Sequence, residues 1–306
     1  VCFTAKLKNV SWGAALLELR NLGCKLPAKT ALKMQEQEKR DSIRNEVAYV
    51  TNKFLLSITD SSDGDIGNKC IEFLRDRGVT IDDTTLSTIP MGCLPPISYV
   101  MSCSELRDKQ AVVEYLTGGY FKANYANYVG SLVIYHHSTP SRIGGFRIRH
   151  EFLTNSPKKL YKVLGPQVDE PDLGLVGLSN YRTLFAGKSR GEGSPVILVE
   201  GEFDMVSWLV GDLNSGNHYL SDIVLSISGA MTKGLESLSN LAVSHVYLAL
   251  DNPRAEPVVI EKIKALVEST DLPVSILNWE DIGREKDPDE YIHQNGFKKW
   301  NELISA

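Results

Sequence analysis

The sequence predicts an α/β protein, with a mixed α+β first part followed by a Rossmann-like domain built on a central parallel sheet. Two observations carry that expectation. In the carboxyl-terminal third, short aliphatic and β-branched runs at Val196 to Val199, Ile223 to Ile227, Val246 to Leu250 and Val274 to Leu277 alternate with amphipathic stretches beginning near Phe203, Lys233, Glu256 and Pro288. Apolar strands separated by helices make a parallel sheet covered on both faces. Secondly, the run Val196-Ile197-Leu198-Val199 stops abruptly at Glu200-Gly201 and passes into helical spacing from Phe203 to Leu213. A carboxylate at the carboxyl end of such a strand lies where open α/β sheets bind their ligands, and Gly201 lets the backbone turn beside it. The domain has no G-x-G-x-x-G with which to hold a dinucleotide.

The first part reads less regularly. Residues 9–20 predict a short helix capped by Ser11 or Asn9, with Gly23 near its end. The charged segment Lys33 to Arg44 reads as a linker or an exposed helix. From Ser42, apolar Ile43, Val47, Val50, Phe54 and Ile58 recur at helical spacing, until the polar run Asp60 to Asp65 breaks it. That run lacks the terminal acid of a calcium loop and reads as a polar connection. A helix from Gly67 to Arg77 stops at Gly78, a proline-containing loop follows Met91-Gly92, and Ser102 to Leu116 reads as one helix. Tyr128 to Tyr135 and Gly145 to Ile148 alternate as strands, and Arg142 to Lys162 is basic.

Composition narrows the function classes. The 306 residues suffice for two domains, and no stretch approaches the roughly 18 apolar residues of a membrane span. The first residues do not form a signal peptide, and with no initiator Met the chain reads as a cytoplasmic fragment continuing upstream. Five scattered cysteines without a C-x-x-C pair read as free thiols rather than disulfides or a zinc site. The net charge of −5 argues against a generally basic nucleic-acid binder, although local charge can overrule it.

The acids supply the sharper signal. In a parallel sheet Glu200, Asp251 and the pair Asp287 and Asp289 all follow strands and lie on one edge, with Asp204 a helical turn beyond Glu200. Crowded carboxylates repel unless a cation neutralises them, and oxygen ligands suit Mg²⁺ or Mn²⁺. The alternative is that acids merely begin helices, with Asp287 and Asp289 capping the helix after Pro288.

Glu200-Gly201-x-x-Asp204, Asp251 at a later strand end, and Lys286-Asp287-Pro288-Asp289-Glu290-Tyr291 resemble the TOPRIM domain of bacterial and phage DNA primases. Upstream, Asn9-Val10-Ser11-Trp12 is similar to the helix after the zinc ribbon of bacterial-type (DnaG-like) primases. Phe73-Leu74-Arg75-Asp76-Arg77-Gly78 resembles their Tyr-Leu-x-x-Arg-Gly element, and Gly145-Phe146-Arg147-Ile148-Arg149 their Gly-Phe-x-x-Arg element. Pro157-Lys158-Lys159-Leu160-Tyr161-Lys162 resembles their Pro-Lys-Tyr site, and Leu173 to Leu178 stands where they have Leu-Tyr-Gly-Leu.

The resemblance implies a nucleotidyltransferase that synthesises short RNA primers on single-stranded DNA from nucleoside triphosphates. Glu200 would be a metal ligand or act on the hydroxyl proton, and Asp251, Asp287 and Asp289 would hold two or more Mg²⁺ or Mn²⁺ ions with Asp204 in support. Arg147, Arg149, Lys159 and Lys162 would neutralise template or triphosphate; the alternative for them is a solvated strand edge. Residues 1–41 would be a helix and linker after a zinc-binding domain absent from this chain, which itself holds no zinc. Residues 42–190 would be a basic nucleic-acid-binding subdomain, and 191–306 the TOPRIM catalytic domain with short carboxyl-terminal helices. The implied setting is a phage or mobile element in a bacterial cytoplasm, with a replicative helicase as partner and no membrane.

Three departures stand beside the resemblance. Pro253 in Asp251-Asn252-Pro253-Arg254 occupies the place of the family's second acid, leaving Glu256 as its substitute. Ser131 stands for an arginine, and Glu170-Pro171-Asp172-Leu173 lacks a lysine. A TOPRIM nuclease and a catalytically degenerate single-stranded-DNA-binding module are the rival readings.

Overall fold

The computed structural model describes residues 28–59, 65–82, 85–86, 89, 91–118, 124–139, 142–150, 153, 163–164, 196–215, 224–226, 244–268, 270–279 and 285–305. The chain divides into two units, Val1–Ser42 and Ile43–Ala306. Of the first, the described part is helical and largely exposed, so the charged segment expected as a linker or helix is helix. It begins α1, Ala28–Thr59.

In the second unit α1 turns from polar to apolar, and Val47, Val50, Phe54, Leu55 and Ile58 are buried. Helix α2, Asp65–Asp76, ends in a Schellman turn. Gly78 adopts φ 71°, its N–H donates to the Arg75 carbonyl at 2.9 Å, and the Val79 N–H donates to the Leu74 carbonyl at 3.0 Å. This fixes Arg77 at the helix end. The helix expected over Ser102 to Leu116 begins only at Lys109, as α4, Lys109–Leu116, and a separate helix α3, Ile97–Ser102, precedes it. Asp108 separates them, because its side chain accepts from the Ala111 N–H at 3.0 Å and starts a new helix as its N-cap.

Strands β1 (Met91–Cys93), β2 (Leu132–Thr139), β3 (Arg142–Arg149) and β4 (Val163–Leu164) form an antiparallel sheet in that order. The strand expected from Tyr128 begins only at Leu132, since Tyr125–Tyr128 is a 3-10 turn and Gly130 takes φ 88°. In β3 the period of two buries Phe146 and Ile148 and sends Arg147 and Arg149 to the other face.

The four strands of the second sheet are β5 (Val196–Val199), β6 (Val224–Ser226), β7 (Val246–Ala249) and β8 (Val274–Ile276), all parallel and ordered β6-β5-β7-β8. They lie where the sequence places them. Val196, Leu198, Val246 and Leu248 pack with Val259 and Leu266 of α6, Val258–Glu268. Ile197, Val199 and Ala249 face the opposite side, with Phe203, Met205, Trp208 and Leu209 of α5, Glu202–Ser215. Helices α7, Pro288–Asn295, and α8, Phe297–Ser305, close over α5 through Tyr291, Ile292 and the fully buried Trp300. That cluster continues into the first half through Leu55, Leu74, Met91 and Leu132. The expected helices over residues 9–20 and from Lys233 fall outside the described residues, and no described helix is long and apolar enough to cross a membrane.

Where α5 crosses α8, a β-carbon on Gly211 would fall on the Phe297 ring. Helix propensity favours Gly211→Ala by about 1 kcal/mol, whereas overpacking costs about 1–3 kcal/mol. The crowded atom is a ring carbon held beside Trp208 at 5.6 Å between centroids, so the cost dominates. Gly211→Ala is expected to lower the thermal unfolding midpoint, and a rise would show that Phe297 moves aside freely.

Candidate active site

The strand order makes β5 and β7 neighbours whose chains leave in opposite directions, β5 toward β6 and β7 toward β8. Such a switch point opens a crevice at the carboxyl ends of the strands. Glu200 follows β5 and Asp251 follows β7, so the two acids flank it.

Around them the backbone is fixed by hydrogen bonds. Gly201 turns between β5 and α5, and its N–H donates to Asp204 Oδ2 at 2.8 Å. The other oxygen of Asp204 accepts from the Asp289 N–H at 3.1 Å, tying the start of α5 to the start of α7. Asn252, 1 % exposed, joins the loops after β7 and before α7: its N–H donates to the Lys286 carbonyl at 2.7 Å and its side-chain amide to the Glu285 carbonyl at 2.9 Å. The indole of buried Trp279 donates to the Leu250 carbonyl at 2.9 Å. Asp251 is thus held from both sides.

The carboxylates share one electrostatic field. Burial, then the charges of Asp287 and Asp251, hold the Asp204 carboxyl well above the ordinary carboxylate range. Burial, then Glu200 and Asp287, push Asp251 up to about 7, against partial relief from Lys286, whose Nζ lies 3.8 Å away. Burial also raises Asp287, although the Glu290 N–H it accepts at 2.8 Å opposes the shift. Asp287 is therefore the N-cap of α7, as the capping reading anticipated, and it faces the other acids as well.

Asp289 is engaged elsewhere. Its carboxylate takes an ion pair from Arg77 and a hydrogen bond from the Ser207 hydroxyl. The Arg77 guanidinium also lies 4.8 Å from the Phe73 ring centroid and 4.5 Å from that of Phe203. Arg149 stacks on Phe203 at 4.3 Å, and Arg147 pairs with Glu202 at 3.3 Å. Both β3 arginines thus meet the first turn of α5, next to the acids. Lys159 and Lys162 lie outside the described residues.

Sequence reasoning gave no role to Arg77, Ser207 or Lys262. Lys262 pairs with Glu200, and the two side chains are 12 % and 14 % exposed. Its signal was available: Val259, Lys262, Ile263 and Leu266 fall at i, i+3, i+4 and i+7, placing a lysine on the core-facing stripe of α6. A lysine so placed needs a partner.

The oxygen-only, mutually repelling donor set suits a hard divalent cation in chemistry. In this arrangement, among the described residues, no three such side chains gather as ligands around one point.

Comparison with known proteins agrees with the architecture. Residues 197–292 match the family model described as Toprim-like. A search of curated proteins gives no match. Among solved structures, the primase of Aquifex aeolicus, with its zinc-binding and RNA polymerase domains, is similar at TM-score 0.60 and 18 % identity, over 99 % of this chain and 69 % of that one. A DNA primase domain from Pseudomonas aeruginosa is similar at TM-score 0.57 and 15 % identity, over 84 % and 77 %. A DnaG primase catalytic domain solved with single-stranded DNA is similar at TM-score 0.53 and 16 % identity, over 86 % and 79 %. The resemblance to DnaG-like primase cores with a TOPRIM domain is borne out in fold, and so is the expected parallel sheet.

The raised carboxyl of Asp251 has a consequence for stability. A carboxyl that holds its proton more tightly folded than unfolded stabilises the fold fully below about pH 4, and the contribution is lost as pH rises through about 7. Each tenfold change in proton affinity is worth about 1.4 kcal/mol. With a chelator present, Asp251→Asn is expected to melt well above the wild type at pH 8 and close to it at pH 4. Equal melting at pH 8 would remove the ascribed repulsion.

Proposed function

We propose that this chain is the catalytic core of a DNA primase that builds short RNA primers on single-stranded DNA from nucleoside triphosphates. Residues 42–190 would serve as the template-binding subdomain and 191–306 as the catalytic domain. The observation that carries the proposal is the meeting at one sheet edge of mutually repelling acids from β5, β7 and the β8–α7 loop with the β3 arginines. A nucleotidyl-transfer site needs both signs of charge: carboxylates for divalent ions, and cations for the phosphates.

Asp251 and Asp287 would hold Mg²⁺ or Mn²⁺, with buried Asp204 fixing the loops on which they stand. Bound metal would supply polarisation of the attacking hydroxyl and charge stabilisation on the leaving oxygens. Glu200 would take the proton of the primer 3′-hydroxyl as its oxygen bonds to the α-phosphorus and pyrophosphate departs. Arg147, a third exposed, would steer template or triphosphate phosphates toward the crevice, with Lys159 and Lys162 as further candidates. The commitment of Asp289 to Arg77 and Ser207 favours a role in joining the halves over one in holding an ion. The expected partner at a replication fork is a replicative helicase.

A primer-synthesis assay on mixed single-stranded templates, in Mg²⁺ and separately in Mn²⁺, tests the reading. Short labelled products are expected from wild type, and Glu200→Gln should reduce them by about 100-fold or more, the lower range of general-base contributions. Cleavage of the template without synthesis would make the chain a nuclease instead. DNA binding with neither activity would make it a binding module.

A further inference from the structure

The loop after β7 offers few acids beyond Asp251. Asn252 and Pro253 follow it, and the amide of Asn252 is consumed in holding the neighbouring loop and the Arg254 N–H, at 2.9 and 3.0 Å. Across the crevice, Glu200 is paired with an ammonium that belongs to the chain itself. Lys262 stands on the apolar stripe of α6, between Val259 at 0 % and Leu266 at 1 % exposure, and reaches Glu200 from there. Removing an ammonium this far from water is expensive without a partner, and so is leaving a carboxylate beside Asp251 uncompensated. The pair resolves both. It also changes what the site takes from solution, because Glu200 is already neutralised before any divalent ion arrives.

We propose that Lys262 is a built-in cation of this site, so that a single divalent ion, held at Asp251 and Asp287, is all that the carboxylates take up. The proposal rests on the primase reading for its chemistry, but the ion count is independent of it. Lys262 is then a positioning residue. It fixes the Glu200 carboxylate on the β5 side of the crevice and supplies there, on a tether, positive charge that a second ion would otherwise bring. Among the described residues Lys286, which faces Asp251, does not duplicate it, being more than half exposed and 3.8 Å away.

The test is a Mn²⁺ titration followed by the electron paramagnetic resonance of free Mn²⁺, on wild type, Lys262→Met, Lys262→Arg, Asp251→Asn and the double variant Glu200→Gln with Lys262→Met. Wild type and Lys262→Arg are expected to bind a single ion, which Asp251→Asn loses. Lys262→Met, with Glu200 released, should bind a second ion or bind the first about tenfold tighter, a change that one nearby charge can supply. The double variant should return to a single ion of wild-type affinity. Two ions on wild type, or no change in Lys262→Met, would overturn the proposal. If Lys262→Met does not fold, the double variant, which leaves no uncompensated charge, and wild type decide it by the same counts. Primer synthesis by Lys262→Arg, but not by Lys262→Met, is the accompanying activity readout. Failure of synthesis in wild type would sink the primase reading and leave the ion count standing.

Discussion

Neighbouring parallel strands lie about 4.8 Å apart, and two of them here end in acids. The β5–β7 ladder, running from Val196 opposite Val246 to Val199 opposite Ala249, brings Glu200 out one residue short of Asp251 and within its electrostatic reach. Everything around that edge answers the resulting repulsion. Lys262 faces one acid and Lys286 the other, and backbone N–H groups of Gly201, Asp289 and Glu290 point into Asp204 and Asp287. Even so, Asp251 holds its proton to about pH 7. The edge remains short of positive charge, which is the condition in which a divalent ion binds most favourably.

The elements legible in the sequence were those whose local pattern and tertiary role agree. Strands β5, β7 and β8 read from their aliphatic runs, α7 from Asp287-Pro288, and the end of α2 from Gly78, because periodicity, caps and turns are local properties. The break between α3 and α4 did not read, since Cys103 to Asp108 carries no proline or glycine, and what divides it is the Asp108 cap together with distant Glu46, which accepts from the Arg107 and Asp108 N–H groups. Within the site, Glu200, Asp251, Asp204 and Asp287 were visible as acids after strands. Their partners were hidden because pairing is decided across long separations: Lys262 lies 62 residues from Glu200, and Arg77 lies 212 from Asp289. The arginines of β3 were visible as charge, but their attachment to Glu202 and Phe203 was not.

That attachment gives Phe203 an unusual position. Its ring carries Arg77 and Arg149 on its faces and Phe73 edge-on at 5.2 Å, while the residues on either side of it are the acids Glu202 and Asp204. A cation over an aromatic face gains about 0.5–2 kcal/mol. Through this one side chain the first turn of α5 is registered against both α2 and β3. The antiparallel half thus makes its ring contacts on the turn that directly follows Gly201, beside the acids.

The hydrophobic cluster running from Leu55 and Leu74 through Leu132 to Val199, Trp208 and Trp300 crosses from the antiparallel half to the parallel half, beside the Arg77–Asp289 and Arg147–Glu202 pairs. Domains that can be parted usually meet through smaller and wetter surfaces. Here the two halves share an interior at this junction, beside the separate cluster that each keeps, so parting them would open that shared core to water. That shared burial ties the folding of the two halves together, and the crevice at the sheet edge stands on the same apolar contacts.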